Sequence, residues 1–249
     1  MSRDLTEIAR AYDAIHGRRA DAPVADDPWH LWVQGALDRA RDLDGKRVLE
    51  AGCGRGALTH WLSSQAAKAT VVGTDVSTAA LRRAAVVPHE GTATPVGWPA
   101  SDVAQLPFAD GAFDTVICCE TIEHVLDPAA AVRELARVVA PGGRLWITAP
   151  SYLNPTGLYR GYLRLRGRRY DEGGQPVANF TMLPQTIGWV RASGLTVERV
   201  DGVGHYLPFP GRAPVRFAAL DARVLRPLCK WTALHCAIIA HKAPREPSA

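Results

Sequence analysis

Residues 48–56 read Val48-Leu49-Glu50-Ala51-Gly52-Cys53-Gly54-Arg55-Gly56, and this stretch decides the fold. Arg47–Glu50 has the character of a buried strand, and it runs straight into three glycines spaced GxGxG. A strand that ends in such a turn brings its backbone close to a ligand, because side chains there would collide with it. A helix follows, with Leu58, Trp61 and Leu62 on one face. Strand, glycine turn and helix in this order open a βαβ unit.

The alternation continues outward from that turn. Thr70–Thr74 reads as a second strand ending at Asp75, and Ser77 is an N-cap for the next helix. A weaker strand around Pro95–Trp98 leads to Ser101-Asp102-Val103, and Phe113–Cys119 reads as a fully buried strand. Asp127-Pro128 opens a helix as N-cap and first residue, with Val132, Leu135, Ala136 and Val139 toward the sheet. Pro141-Gly142-Gly143 is expected to stop that helix before a strand at Arg144–Thr148. A helix at 184–193, Gly194 as its C-cap, and strands Leu195–Val200 and Leu234–Ala240 complete the pattern. The expected fold is a single α/β domain over 1–249, a Rossmann-like, seven-stranded, mainly parallel sheet with helices on both faces. Residues 46–150 form its core. The N-terminal helices (1–44) and two insertions (151–182 and 202–232) are expected to cap the sheet's C-terminal edge.

Composition is consistent with this. A chain of 249 residues with 47% hydrophobic and 22% charged residues has the balance of a globular domain. No apolar run is long enough to span a bilayer, and Leu5, Ile8, Tyr12 and Ile15 recur at helical spacing where a signal peptide would be apolar throughout. Cys53, Cys118, Cys119, Cys229 and Cys236 are odd in number and contain no CxxC pair. That argues against a disulfide framework or a zinc site, and makes the cytoplasm the expected compartment. The net charge of +4 is mild, although Arg160, Arg164, Arg166, Arg168 and Arg169 crowd one segment. They read as the solvated face of an insertion, and no RNA-binding signature accompanies them, which argues against a nucleic-acid partner.

Three features point to the ligand. A dinucleotide site prefers GxGxxG, and Glu50 would repel a pyrophosphate; it suits a ligand carrying a sulfonium and an ammonium group. Asp75, 19 residues beyond Gly56, is placed to accept both hydroxyls of a ribose. Asp102 can accept from an exocyclic amino group while a neighbouring backbone N–H meets a ring nitrogen, which is what adenine recognition requires. Singly, each has a plainer explanation as a helix cap or a loop residue. Their order and spacing carry the inference.

Residues 48–150 resemble the class I S-adenosylmethionine (SAM)-dependent methyltransferases. Leu106–Ile117 and Ala140-Pro141-Gly142-Gly143 are similar to the small-molecule group that includes the ubiquinone and menaquinone biosynthetic enzymes. The resemblance implies SAM as cofactor, with Glu50, Gly52 and Gly54 on its methionine side, Asp75 and Val76 at the ribose, and Asp102 and Val103 at the adenine. It places Glu120 under the sulfonium and makes Leu234–Ala240 antiparallel.

Glu120-Thr121-Ile122-Glu123-His124 resembles the ExxEH motif of ubiquinone-pathway O-methyltransferases and small-RNA 2′-O-methyltransferases. There such residues hold a divalent metal, so Glu120, Glu123 and His124 are candidate ligands. The metal is not favoured, because Glu120 is expected at the cofactor and the remaining pair is a sparse ligand set. His124 is instead the first candidate for a catalytic base and His205 the second. Tyr12, Trp29 and His30 are placed to close the site. Tyr152, Leu153, Tyr159, Tyr162, Leu163, Tyr206, Phe209, Phe217 and Leu220 favour a moderately large, partly apolar small-molecule acceptor, methylated on oxygen or nitrogen. One alternative is an RNA 2′-O-methyltransferase using the arginine cluster. Another is a nucleotide-binding dehydrogenase or regulatory module, which the GxGxG spacing and Glu50 argue against.

Overall fold

Parallel strands need long crossovers, and the chain supplies them as helices. The structure, a computed structural model of the full chain, describes residues 4–18, 23–87, 96–168, 174–207, 215–216 and 229–245. In chain order the elements begin with α1 (Leu5–Arg18), α2 (Pro28–Ala36), α3 (Arg39–Asp42), β1 (Arg47–Ala51), α4 (Ala57–Gln65), β2 (Thr70–Thr74), α5 (Thr78–Ala85) and β3 (Val96–Gly97). They continue with β4 (Phe113–Cys119), α6 (Pro128–Val138), β5 (Val139–Pro150), α7 (Pro155–Leu165), α8 (Leu183–Ala192), β6 (Leu195–Val203), β7 (Tyr206–Leu207), β8 (Val215–Arg216) and β9 (His235–Lys242).

Seven strands form one sheet in the order β3-β2-β1-β4-β5-β9-β6, and β7 pairs with β8 apart from it. β9 is antiparallel to both β5 and β6, while the β3-β2-β1-β4-β5 run is parallel throughout. The expected sheet is therefore present. Strand order reverses between β1 and β4, which opens a crevice beyond their C-terminal ends.

Side chains alternate across the sheet into two cores. Leu49, Val116, Cys118, Leu145, Ile147 and Ile238 pack on one face with Val132, Leu135 and Ala136 of α6 and with Leu183 and Val190 of α8. Val48, Ile117, Cys119, Trp146, Ala237 and Ile239 pack on the other with Leu58 and Leu62 of α4 and Trp32 and Val33 of α2. Both expected caps are made: the Ser77 hydroxyl accepts from Ala80 N–H, and Asp127 accepts from Ala130 N–H.

Some boundaries differ from the sequence reading. α6 ends at Val138, and β5 begins at Val139 and runs through Pro141-Gly142-Gly143. Pairing passes from Phe113↔Val139 to Thr115↔Arg144, so Asp114 alone stands opposite residues 140–143. The Pro-Gly-Gly run is a bulge inside the strand, with Gly142 at φ +77°, and does not end the helix. β6 also extends beyond Val200 to Val203, because β9 continues to offer it a partner there.

The insertions are only partly described. α7 exposes Leu158, Tyr159, Tyr162, Arg164 and Leu165, and Arg166 and Arg168 are exposed just beyond it, whereas Arg160 lies over the Tyr152 ring at 4.2 Å. Arg169, Phe209, Phe217, Leu220 and the side chain of Tyr206 lie outside the described part.

A buried ion-pair network ties the sheet's far half to the N-terminal segment. Arg144 Nη1 donates to both Asp42 oxygens at 2.7 and 2.9 Å, and its Nη2 donates to Glu198 at 2.8 Å. Asp42 is fully buried and Arg144 nearly so. Removing Asp42 leaves the buried Arg144 Nη1 without its two hydrogen bonds and the guanidinium with Glu198 alone. Asp42→Ala should therefore cost about 3–5 kcal/mol in urea unfolding, a loss that an exposed pair such as Arg47–Asp114 would not produce.

Candidate active site

The crevice beyond β1 and β4 is a cavity of about 780 Å³. Its sheet-side wall is made by the ends of three strands. Glu50, Gly52 and Gly54 come from β1 and its turn, Asp75 and Val76 from the end of β2, and Glu120 from the end of β4. Asp102 and Val103, after β3, complete that wall.

Asp75 organises the turn. Its two oxygens accept from Gly54 N–H at 2.9 Å and Ser77 N–H at 2.8 Å. Burial raises its carboxyl above the ordinary 3.8 against the pull of these bonds. Asp102 is set in a tight turn by accepting from Ala104 N–H at 2.9 Å.

The glycines answer to packing as well as to ligand approach. Gly52 sits at φ +76°, and a Cβ on it would overlap the Thr121 side chain. A Cβ on Gly56, at φ +78°, would lie 2.6 Å from the Trp98 ring. Gly54 is more open, its nearest neighbour being His16 at 3.6 Å.

Glu50 is wholly buried and accepts from the Thr59 hydroxyl. Burial pushes its carboxyl up to about 8. Glu120 takes a left-handed backbone conformation, φ +47°, which a side-chain-bearing residue adopts at a cost of about 1–3 kcal/mol. That turn directs its carboxylate to His235 at the start of β9, with Oε2 2.7 Å from Nδ1. Its other oxygen, Oε1, is buried without a hydrogen-bond partner among the described residues.

The opposite wall comes largely from the N-terminal segment: Ile8, Tyr12 and His16 of α1, and Trp29 and His30 of α2. The first insertion adds Tyr152, Thr156 and Gln175, and none of the described residues of 202–232 lines the cavity. Tyr12, Trp29 and His30 thus lie where the sequence suggested, and burial holds the His30 imidazole below its ordinary 6.5.

His124 lines the cavity with Nδ1 at 2.8 Å from the Val177 carbonyl and Nε2 at 3.6 Å from Glu123. His205 does not reach it. Its ring is buried with Nε2 at 2.9 Å from the Cys229 carbonyl, because β6 carries the chain past the cavity mouth before Gly204 turns it. His235 takes its place among the lining residues. In the sequence it is one polar residue within the apolar strand Leu234–Ala240, and only the antiparallel insertion of β9 beside β5 brings it to the sheet's C-terminal edge. Among the described residues no three His, Cys, Asp or Glu side chains converge to hold a metal ion.

The carboxylates at Glu50, Asp75, Asp102 and Glu120 give one wall the chemistry of a cationic, ribose-bearing ligand, and the unpartnered Glu120 Oε1 is available to it. These residues fit SAM. The family model described as "Methyltransferase domain" matches residues 49–147. The ubiquinone biosynthesis O-methyltransferase of Sodalis glossinidius (strain morsitans) is 31% identical, over 84% of this chain and 84% of its own. The protein of the same name from Ralstonia nicotianae is 34% identical, over 73% and 74%. Among solved structures, a SAM-dependent methyltransferase from Methanosarcina mazei superposes with a TM-score of 0.59 at 18% identity, covering 86% of this chain and 98% of that one. The [4+2]-cyclase SpnF superposes with a TM-score of 0.63 at 19% identity, over 98% of each. The last likeness shows that fold alone does not fix the reaction.

Glu50 makes the cofactor-free protein sensitive to alkali. Its folded value lies above the ordinary 4.5, so the folded state holds the proton more tightly than the unfolded one. The stability this contributes is complete below pH 4.5 and is lost as pH rises through about 8. In urea titrations Glu50→Gln should gain on the wild type steadily between pH 5 and 8, by an amount on the order of several kcal/mol. Parallel pH profiles for the two proteins would contradict this.

Proposed function

The chain belongs to the class I SAM-dependent methyltransferases, and from that premise we propose that it transfers the methyl group to a hydroxyl oxygen of a partly apolar, phenol-like small molecule. The observation that carries the reading is the two-sided cavity, with a carboxylate-rich wall facing one of aromatic rings and imidazoles. The likeness to ubiquinone biosynthesis O-methyltransferases supports oxygen as the acceptor atom.

SAM supplies an electrophilic methyl group on a sulfonium. Glu50 and the Gly52–Gly54 backbone hold the methionine end, and a positive charge there draws Glu50 into its ionised form. Asp75 accepts the ribose hydroxyls with the lone pairs that Gly54 and Ser77 leave free, and Val76 flanks it. Asp102 and the Val103 backbone read the adenine. Tyr12, Trp29 and Tyr152 exclude water, which favours a reaction whose charge is neutralised as it proceeds. His124, its Nδ1 held by Val177, orients the acceptor. The small-molecule reading is preferred to RNA because Arg164 on α7 and Arg166 and Arg168 just beyond it are exposed and none of them lines the cavity.

Asp75→Ala should weaken binding of SAM and of its demethylated product about ten- to a hundredfold, the loss of about 1–3 kcal/mol, in calorimetry on a folded variant. Unchanged affinity would remove Asp75 from the site.

The reaction is tested by incubating the enzyme with methyl-labelled SAM and 3,4-dihydroxybenzoate or a longer alkylcatechol. The expected product is a methoxyphenol. Turnover should survive exhaustive chelation, since Glu120 Oε2 is held by His235 and among the described residues no three ligand side chains converge. Loss on chelation with recovery on adding a divalent ion would assign the ExxEH loop to a metal.

A further inference from the structure

We propose that His235 is the catalytic base, that Glu120 is its positioning residue, and that the acceptor hydroxyl gives its proton to His235 Nε2. The inference rests on the oxygen-transfer reading above and deepens it.

A phenol ionises at about pH 10, so near neutrality its oxygen is a poor nucleophile unless a base takes the proton in the transition state. The base must be an imidazole or carboxylate within the cavity, with a lone pair free to receive that proton. Three histidines besides His235 line the cavity: His16, His30 and His124. His16 faces the Gly54 turn and Asp75, on the carboxylate-rich side. His30 is buried at Asp27, with Nδ1 3.8 Å from the carboxylate. His124 also holds its proton on Nδ1, toward the Val177 carbonyl, but its Nε2 lone pair faces the Glu123 carboxylate at 3.6 Å.

His235 is arranged differently. A carboxylate only accepts, so the 2.7 Å contact with Glu120 fixes the neutral ring with its proton on Nδ1. Nε2 then carries the lone pair, and it has no protein partner among the described residues. The Trp29 ring packs against the imidazole at 4.9 Å between centroids and restrains its orientation. Glu120 sits at the end of β4, beside the turn of β1 with which that strand pairs, and pays for its left-handed backbone by reaching His235. The neighbouring Cys236 thiol is pushed up to about 12 by burial and does not compete for the proton.

The step balances. The acceptor O–H bond breaks as an oxygen lone pair forms the new bond to the methyl carbon. The pair of the S–C bond stays with sulfur, leaving a neutral thioether. The proton goes to Nε2, the Glu120 carboxylate stabilises the resulting imidazolium, and solvent removes the proton after product leaves.

His235→Asn keeps a donor near the Nδ1 position and removes the base. With the alkylcatechol it should lower kcat about 10²–10³-fold while SAM affinity holds. With 4-nitrocatechol, which ionises unaided near neutrality, the variant should run close to the wild-type rate. An equal loss with both acceptors would make His235 structural and overturn the proposal, as would an undiminished rate with the alkylcatechol. A second measurement needs no acceptor. Nitrogen NMR of the complex with the demethylated cofactor, assigned by the signals lost in His235→Asn, should place the ring proton on Nδ1; a proton on Nε2 overturns the dyad. A wild type that binds SAM but methylates neither catechol would contradict the oxygen-acceptor reading, and the tautomer would then decide the dyad alone.

Discussion

The Asp75 carboxylate is the constraint on which the rest of the site depends. It stands at the end of β2, nearly out of solvent, and accepts from the glycine turn on one side and the start of α5 on the other. The next residue but one extends the connection. Ser77 caps α5 with its oxygen and gives its hydroxyl hydrogen to Asp13 of α1, 2.7 Å away, and Asp13 also accepts from Ala79 N–H. Hydrogen bonds to these donors hold the Asp13 carboxyl below its ordinary value even though its partial burial opposes them. One short chain of polar contacts thus joins the strand end, the glycine turn, a helix N-terminus and the helix that roofs the cavity. Tyr12 and His16, on either side of Asp13 in α1, reach the cavity because Asp13 docks that helix where it does.

The cavity uses the same element, a carboxyl group out of water, in three different ways. Glu50 has a hydroxyl partner and no cation, so burial leaves it protonated near neutrality until a cation arrives. Asp75 has two backbone N–H groups and lone pairs to spare. Glu120 has an imidazole on one oxygen and nothing on the other. Their chemistry differs because their immediate partners differ, although all three stand at the C-terminal ends of neighbouring parallel strands. The crevice between β1 and β4 is what lets carboxylates so close in the sheet face a single ligand.

Fold and reaction are carried by different levels of the molecule. A [4+2]-cyclase shares the topology over nearly the whole chain, so the sheet is a scaffold for more than one chemistry. What is particular to this chain lies at the rim: the imidazoles at 124 and 235, the aromatic rings of the N-terminal helices, and the Tyr152–Phe180 stack with Arg160 over it. His124 follows β4 and His235 opens the antiparallel β9, while the rings come from the N-terminal helices and the first insertion, where length and sequence can vary without disturbing the sheet.

Much was legible in the sequence because it is encoded locally. Burial on both faces makes Val116–Cys119 an apolar run, and the structure gives the strand read as Phe113–Cys119 the same bounds. Ser77 and Asp127 announce helix starts because capping needs only the residues a turn away. The Pro141–Gly143 bulge was read as a helix stop, since the residues suit either and only pairing with β4 decides. Glu50, Asp75 and Asp102 could be picked out because each stands at or past the end of a strand, at the edge where such sheets bind ligands. His205 stood out in the sequence as the second base candidate, and His235 did not. Each is a lone histidine in or beside an apolar strand, and which of them reaches the cavity depends on how β6 and β9 lie in the sheet. The sequence by itself determined the alternation, the glycine turn and the acidic strand ends, because those arise from neighbours along the chain. Only the tertiary structure decided the His235–Glu120 pair, whose members stand 115 residues apart and meet because β9 enters antiparallel beside β5.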